Sequence, residues 1–188
     1  SSSLRRALPG FFYGKSSDQA GLPVFDYRTV DAGVGALGPK AVVAGTDGVY
    51  FAGRAGIYRT TGAEPERISD AIDPIFDSTA EASDFYQGGE LDHSQITNSA
   101  MWTHDKRVYL AFTIAGSSNT RTLVYDPRYE WWSLYDLAAT CGTSFRIASQ
   151  AEMVFGAADK HIYRHGPAYT SDNGTAISSR WRSGWFDY

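Results

Sequence analysis

The chain has 188 residues and a formal net charge of −4; it is 43% hydrophobic, 20% charged and 14% aromatic, with 19 glycines. That apolar content supports a packed core and excludes global disorder, and the mild negative charge gives no overall attraction for nucleic acid or an anionic membrane. The single cysteine, Cys141, excludes an internal disulfide and any multi-cysteine zinc site, and no apolar run approaches the roughly 18 residues of a spanning helix.

Many aromatics combined with many glycines fit an all-β protein with numerous tight turns. Residues 1–21 are rich in Ser, Gly and Lys, interrupted by Phe11, Phe12 and Tyr13, and read as an arm or the remains of a strand. The residues at 1–6 have no apolar h-region of the kind a secretory signal needs. Because the chain does not begin with Met, it is expected to be a processed chain or a fragment. Residues 24–30 (VFDYRTV) alternate well enough for a strand, and 31–39 form a Gly-rich connection. The expected division is therefore an N-terminal arm with a partial strand over 1–39 and one β-domain over 40–188.

Within that domain, short β-branched and aromatic runs at 40–45, 49–53, 56–60 and 66–69 are broken by Gly-Thr-Asp-Gly and Gly-Arg-Ala-Gly. Runs so closely spaced leave no room for crossover helices and predict an antiparallel meander. Residues 70–97 break the pattern with an acidic insertion carrying Asp70, Asp73, Asp77, Glu81, Asp84, Glu90 and Asp92. A short helix is expected there near 78–86, where Ser78 and Glu81 have capping-box spacing.

A second unit follows at 99–103, 107–113, 120–126 and 130–135, and a third at 144–148, 153–155, 161–164 and 176–181. The third run of each unit reads Ile57-Tyr58-Arg59, Val124-Tyr125-Asp126 and Ile162-Tyr163-Arg164. First strands near 41, 99 and 144 are about 58 and 45 residues apart. Four-stranded antiparallel repeats at this period predict β-propeller blades, in a partial or small propeller; another β-sandwich or barrel is the alternative. Propellers usually carry about four to eight blades, so three units are expected to be part of a ring or a piece of a longer one.

The search for chemistry yields no catalytic, cofactor-binding or metal-ligating residue. His161 and His165 sit four apart, but on a strand-like segment without a third ligand. Asp92-His93 and His104-Asp105 are isolated pairs with no Gly-x-Ser-x-Gly companion. The glycines at 45–48 and 53–56 lack a following Lys-Ser/Thr and belong to hairpins, not phosphate loops. Residues 170–174 (TSDNG) read as a turn, with only a loose likeness to a sialidase Asp-box. The carboxylates of 70–92 have no fixed pairing of the kind a glycosidase needs and read as a solvated loop. Trp102, Trp131 and Trp132 are expected to pack between sheets, and Arg180-Trp181-Arg182 hints at a contact surface. The chain is expected not to be an enzyme, and no cofactor is implied.

Set out as a repeat, the chain resembles the β-propeller neck and tail proteins of tailed bacteriophages, of the packaged-DNA stabilisation and tail-nozzle type. The likeness rests on Gly38-Pro39-Lys40-Ala41-Val42 leading into Val49-Tyr50-Phe51, then Gly56-Ile57-Tyr58-Arg59, Arg67-Ile68-Ser69 and Ile72-Asp73. It continues through Val124-Tyr125-Asp126 with Trp132-Ser133, and through Ile162-Tyr163 with Asp172-Asn173-Gly174. The resemblance implies a structural virion component, made in the host cytoplasm and resident in the neck or tail. It also implies portal or tail subunits as partners, a homo-oligomeric ring, and passive contact with genomic DNA in a channel. A glycan-binding or glycan-cleaving propeller for receptor recognition is the alternative.

Overall fold

The computed structural model describes residues 10–15, 24–29, 33–77, 90–114, 116–147, 150–166, 171–172 and 175–176. Within each sheet strand follows strand in chain order, each hydrogen-bonded to the one before it, and a new sheet begins at Val42, Ala100, Ala139 and Ser171. β1 (Gly10–Lys15) and β2 (Val24–Thr29) form an antiparallel ladder with Phe12 opposite Tyr27. The first large sheet is β3 (Val42–Ala44), β4 (Val49–Gly53), β5 (Gly56–Thr60) and β6 (Glu66–Arg67), paired in that order. The second is β7 (Ala100–His104), β8 (Arg107–Phe112), β9 (Arg121–Asp126) and β10 (Trp131–Tyr135), again in sequence. A third sheet comprises β11 (Ala139–Ile147), β12 (Gln150–Ala157) and β13 (Ile162–His165). The protein is thus all-β, with antiparallel four-stranded meanders and a short helical insertion. Among the described residues no helix is long and apolar enough to cross a membrane.

The turns explain why these meanders close where they do. Gly56 has φ +150°, and a Cβ there would lie 2.4 Å from Ser69 Oγ, which accepts the Ile57 N–H at 3.0 Å. Only glycine lets the β4–β5 turn close against that hydroxyl. Between β7 and β8, Asp105 (φ 47°) and Lys106 (φ 62°) are both left-handed, the backbone of a two-residue hairpin turn whose twist matches its strands.

The second sheet is the middle layer and is covered on both faces. Val108, Leu110 and Phe112 of β8, with Leu123, Tyr125 and Trp132, pack against Tyr50, Ala52 and Ile57 of the first sheet. Their sequence neighbours Trp102, Tyr109, Ala111 and Val124 point the other way and meet Ala139, Met153 and Phe155 of the third. Period-two alternation distributes β8 between two cores. The first strands of neighbouring sheets lie beside one another, β3 with β7 and β7 with β11.

The connection between the first two sheets departs from the sequence expectation. Two 3₁₀ segments, Asp70–Ile75 and His93–Asn98, flank residues 78–89, so the helix expected near 78–86 lies outside the described residues. The flanks are not a solvated loop: Ile72, Ile75, Phe76 and Leu91 are buried in the first core. The tight 3₁₀ turn brings 72, 75 and 76 inward while Asp70 stays outside. Asp92 starts the second segment, its carboxylate accepting the Ser94 N–H at 2.9 Å.

The third unit also differs. β11 begins at Ala139 rather than at 144, through a bulge at 139–141, because its early residues are small and polar and carry no apolar alternation. The fourth strand expected at 176–181 does not pair with β13 over its described part. Thr175–Ala176 (β15) pairs instead with Ser171–Asp172 (β14), while Asn173 and Gly174 of the expected turn lie outside the described residues. Residues 177–181 lie outside the described residues, as do Arg180, Trp181 and Arg182.

Candidate functional site

Turns from the first two sheets converge on a cleft of about 360 Å³, lined by the 45–47 turn, Tyr50, the 103–106 turn, Val108, Pro127 and Ser144 of β11. The β3–β4 turn is closed by Gly45 N–H to Gly48 O at 2.7 Å and carries Asp47 into the site. That carboxylate accepts the Tyr50 hydroxyl at 2.7 Å and Arg59 Nη1 at 3.2 Å. Arg59 also reaches Glu66 at 2.7 Å. Burial, reinforced by Asp47, pushes the Tyr50 phenol well above the ordinary tyrosine range, so it stays protonated and donates to Asp47.

On the opposite wall His104 Nδ1 lies 3.1 Å from Ser144 Oγ. This pair joins the second and third sheets across 40 residues of sequence. It has the spacing of a base and a nucleophile, but among the described residues no hydrogen bond links His104 to a carboxylate that would orient it. Behind it His165 is held below the usual histidine value, chiefly by burial and then by the charge on His104. Its ring lies 5.9 Å from that of Tyr135.

Beside the cleft, the β9–β10 turn is built around one carboxylate. Asp126 accepts Arg107 Nε at 3.1 Å, the Arg128 backbone N–H at 3.1 Å, Arg128 Nε at 2.9 Å and Arg128 Nη2 at 2.6 Å. The Arg128 guanidinium, more than any other group, holds this carboxyl well below the usual carboxylate range. The turn presents two aromatic rings to solvent: Tyr129 is 60% and Trp131 69% exposed. Their centroids are 5.3 Å apart with planes inclined at 36°. Arg128 sits 5.5 Å from the Tyr129 ring centre.

Trp131 corrects the expectation that all three tryptophans pack between sheets. Trp102 and Trp132 do, at 3% and 8% exposure. Trp132 Nε1 donates to Ile68 O at 3.3 Å. Adjacent residues of a strand face opposite ways, so Trp131 points to the third-sheet side, where among the described residues no fourth strand lies opposite β10.

The other sequence candidates fall apart in space. His161 lies before β13 and pairs with Asp159 at 3.2 Å, and His93 contacts the Phe76 carbonyl. Among the described residues no group of three His, Cys, Asp or Glu is placed to hold a metal ion. The glycines at 45–48 and 53–56 are hairpin turns, as read from the sequence. A second cleft, of about 400 Å³, contains Arg54, Arg67, Asp73 and His93. There Arg67 already pairs with Asp70 and Asp73. No protein-family model matches the chain, and no curated protein matches it.

Proposed function

We propose that this chain is a structural, non-enzymatic component of a bacteriophage neck or tail, its sheets serving as blades of a propeller-type wall around the DNA channel. The observation that carries the reading is the outer face of the third sheet, against which no further sheet packs among the described residues. The third sheet turns Met153 and Phe155 inward to the second and leaves Phe145 57% and Ile162 79% exposed, with Cys141 also exposed. The same face carries the Glu152–Arg164 ion pair beside Phe145 and Ile162, so a contact there would combine apolar and charged groups. A further sheet from a neighbouring subunit, another copy or a portal or tail protein, would bury these residues as Val108 and Leu110 are buried now. The resemblance of the repeat to phage neck and tail propellers supplies the context, and a net charge of −4 suits a wall that DNA slides past.

The test is mass measurement by native mass spectrometry and sedimentation, alone and mixed with the proteins encoded next to it. Rings or defined hetero-complexes are expected, weakened by Ile162→Asp with Phe145→Asp. A chain that stays monomeric and associates with none of those neighbours refutes the proposal.

A further inference from the structure

We infer that the cleft at the turn ends of the first two sheets, together with the Tyr129–Trp131 pair beside it, is a binding site for a neutral hexopyranose sugar. Two independent features meet there. One is a polar hollow, about 360 Å³ in volume, that presents carboxylates from Asp47 and Asp105, the ammonium of Lys106, the His104 imidazole and the Ser144 hydroxyl. Sugar hydroxyls both donate and accept, so a wall alternating acceptors and donors matches them where an apolar wall would not. The other is the exposed aromatic platform. A pyranose carries one face of C–H groups that lies flat on an indole, removing apolar area of both from water.

The two features are contiguous. Pro127 lines the hollow and opens the turn that bears Tyr129 and Trp131, and Arg128 feels the charge of Asp105. The platform is also held in place before any ligand arrives, because Asp126 fixes Arg128 by backbone and side chain and Arg107 fixes Asp126. Preorganisation of this kind lowers the ordering cost of binding. Charge selects the class of sugar. Arg59, Lys106, Arg107 and Arg128 are set against Asp47, Asp105, Asp126 and Glu130, with Arg59 already committed to Asp47 and Arg107 and Arg128 to Asp126, which leaves Lys106 to balance Asp105 and Glu130. That balance disfavours sialylated, sulfated or phosphorylated ligands. The site is shallow, so a single unit is expected to bind with a Kd of about 1 mM, and a multimeric particle more tightly through multivalency.

The experiment uses the full chain, labelled with ¹⁵N and titrated with the methyl glycosides of glucose, galactose, mannose and N-acetylglucosamine. The Trp131 indole signal and the amides of 104–106 and 128–131 are expected to shift together with at least one of them. Trp131→Ala should weaken that binding about tenfold or more, a loss of roughly 1.4 kcal/mol, and Asp105→Asn should weaken it as well. Ile162→Ser, on the outer face of the third sheet, should bind as the parent does. No response to any of the four glycosides overturns the assignment. So does a response that survives Trp131→Ala. Loss of subunit association in Trp131→Ala, with no glycoside response in the parent, assigns the platform to a protein contact instead. The titration is read on the isolated chain, so its failure is separable from failure of the proposed assembly.

Discussion

Gly142 of β11 offers the sharpest test of how the second and third sheets meet. A Cβ at this position would lie 2.3 Å from Trp102 Cε2, 2.4 Å from Cδ2 and 2.7 Å from Nε1. Those atoms belong to the body of a rigid indole, not to the end of a flexible chain. The indole cannot retreat: it is 3% exposed, stacks on Tyr109 at 5.5 Å and 10°, and donates Nε1–H to Met153 Sδ at 3.2 Å. Gly142→Ala therefore adds a methyl to a closed layer and should cost about 1–3 kcal/mol, the usual range for overpacking. With an m-value near 2 kcal/mol/M, the urea midpoint should fall by about 0.5–1.5 M at unchanged slope. Near-UV circular dichroism should lose tryptophan signal at the same time. In a Trp102→Phe background the smaller ring leaves room, so the alanine should cost clearly less, giving a favourable interaction energy in the double-mutant cycle. An unchanged midpoint for Gly142→Ala, or equal costs in the two backgrounds, would show that β11 does not lie against the indole as described.

Leu110, 1% exposed in the first core, should lose about 2–5 kcal/mol on replacement by Ala, whereas Ile162→Ser at 79% exposure should stay within about 0.5 kcal/mol in the isolated chain; urea unfolding of both variants checks the contrast. Asp126 predicts a pH dependence. Its carboxyl is held down in the folded state, chiefly by Arg128 and then by Arg107, so near pH 4 and below the unfolded chain binds more protons at this residue. The stabilisation is complete above about pH 4 and fades as pH falls through the lower folded value. The melting-temperature gap between the parent and Asp126→Asn should accordingly be constant from pH 7 to pH 5 and shrink toward pH 3; a gap that persists unchanged at pH 3 would refute the role given to this carboxylate.

The strands of the second unit lie within a residue or two of where pattern and turn signals put them. The reason is physical. β8 (RVYLAF) and β9 (RTLVYD) are buried on both faces, so each carries an unbroken apolar run, Val108–Phe112 and Leu123–Tyr125, that ends abruptly at a charged residue, Arg107 or Asp126, beside its turn. β11 was less legible because its first half meets a neighbour through the absence of side chains: Gly142 fits the Trp102 ring by having no Cβ, and no hydropathy pattern records that. The 70–77 segment misled in the opposite sense, its carboxylates hiding three apolar residues that close the first core.

The site was legible only in fragments, because it is assembled from turns whose residues interact across the sequence. Arg107 meets Asp126 over 19 positions and His104 meets Ser144 over 40. Trp131 and Trp132 were bound to face opposite ways in any strand. Which of the two stays in water depends on where a neighbouring sheet ends, and that lies one level above strand pattern. The same repeat that builds the stack therefore builds the site. Alternate hairpins of the meanders return their turns to one end of the sheets, and those turns, β3–β4, β7–β8 and β9–β10, are where Asp47, Asp105 and Tyr129 can vary without disturbing the cores beneath them. On the two proposals, the tasks would separate by position, with association on the sheet faces and sugar binding at the turn ends. Substitutions at Ile162 and at Trp131 should accordingly have independent effects, with association lost in one and glycoside response lost in the other.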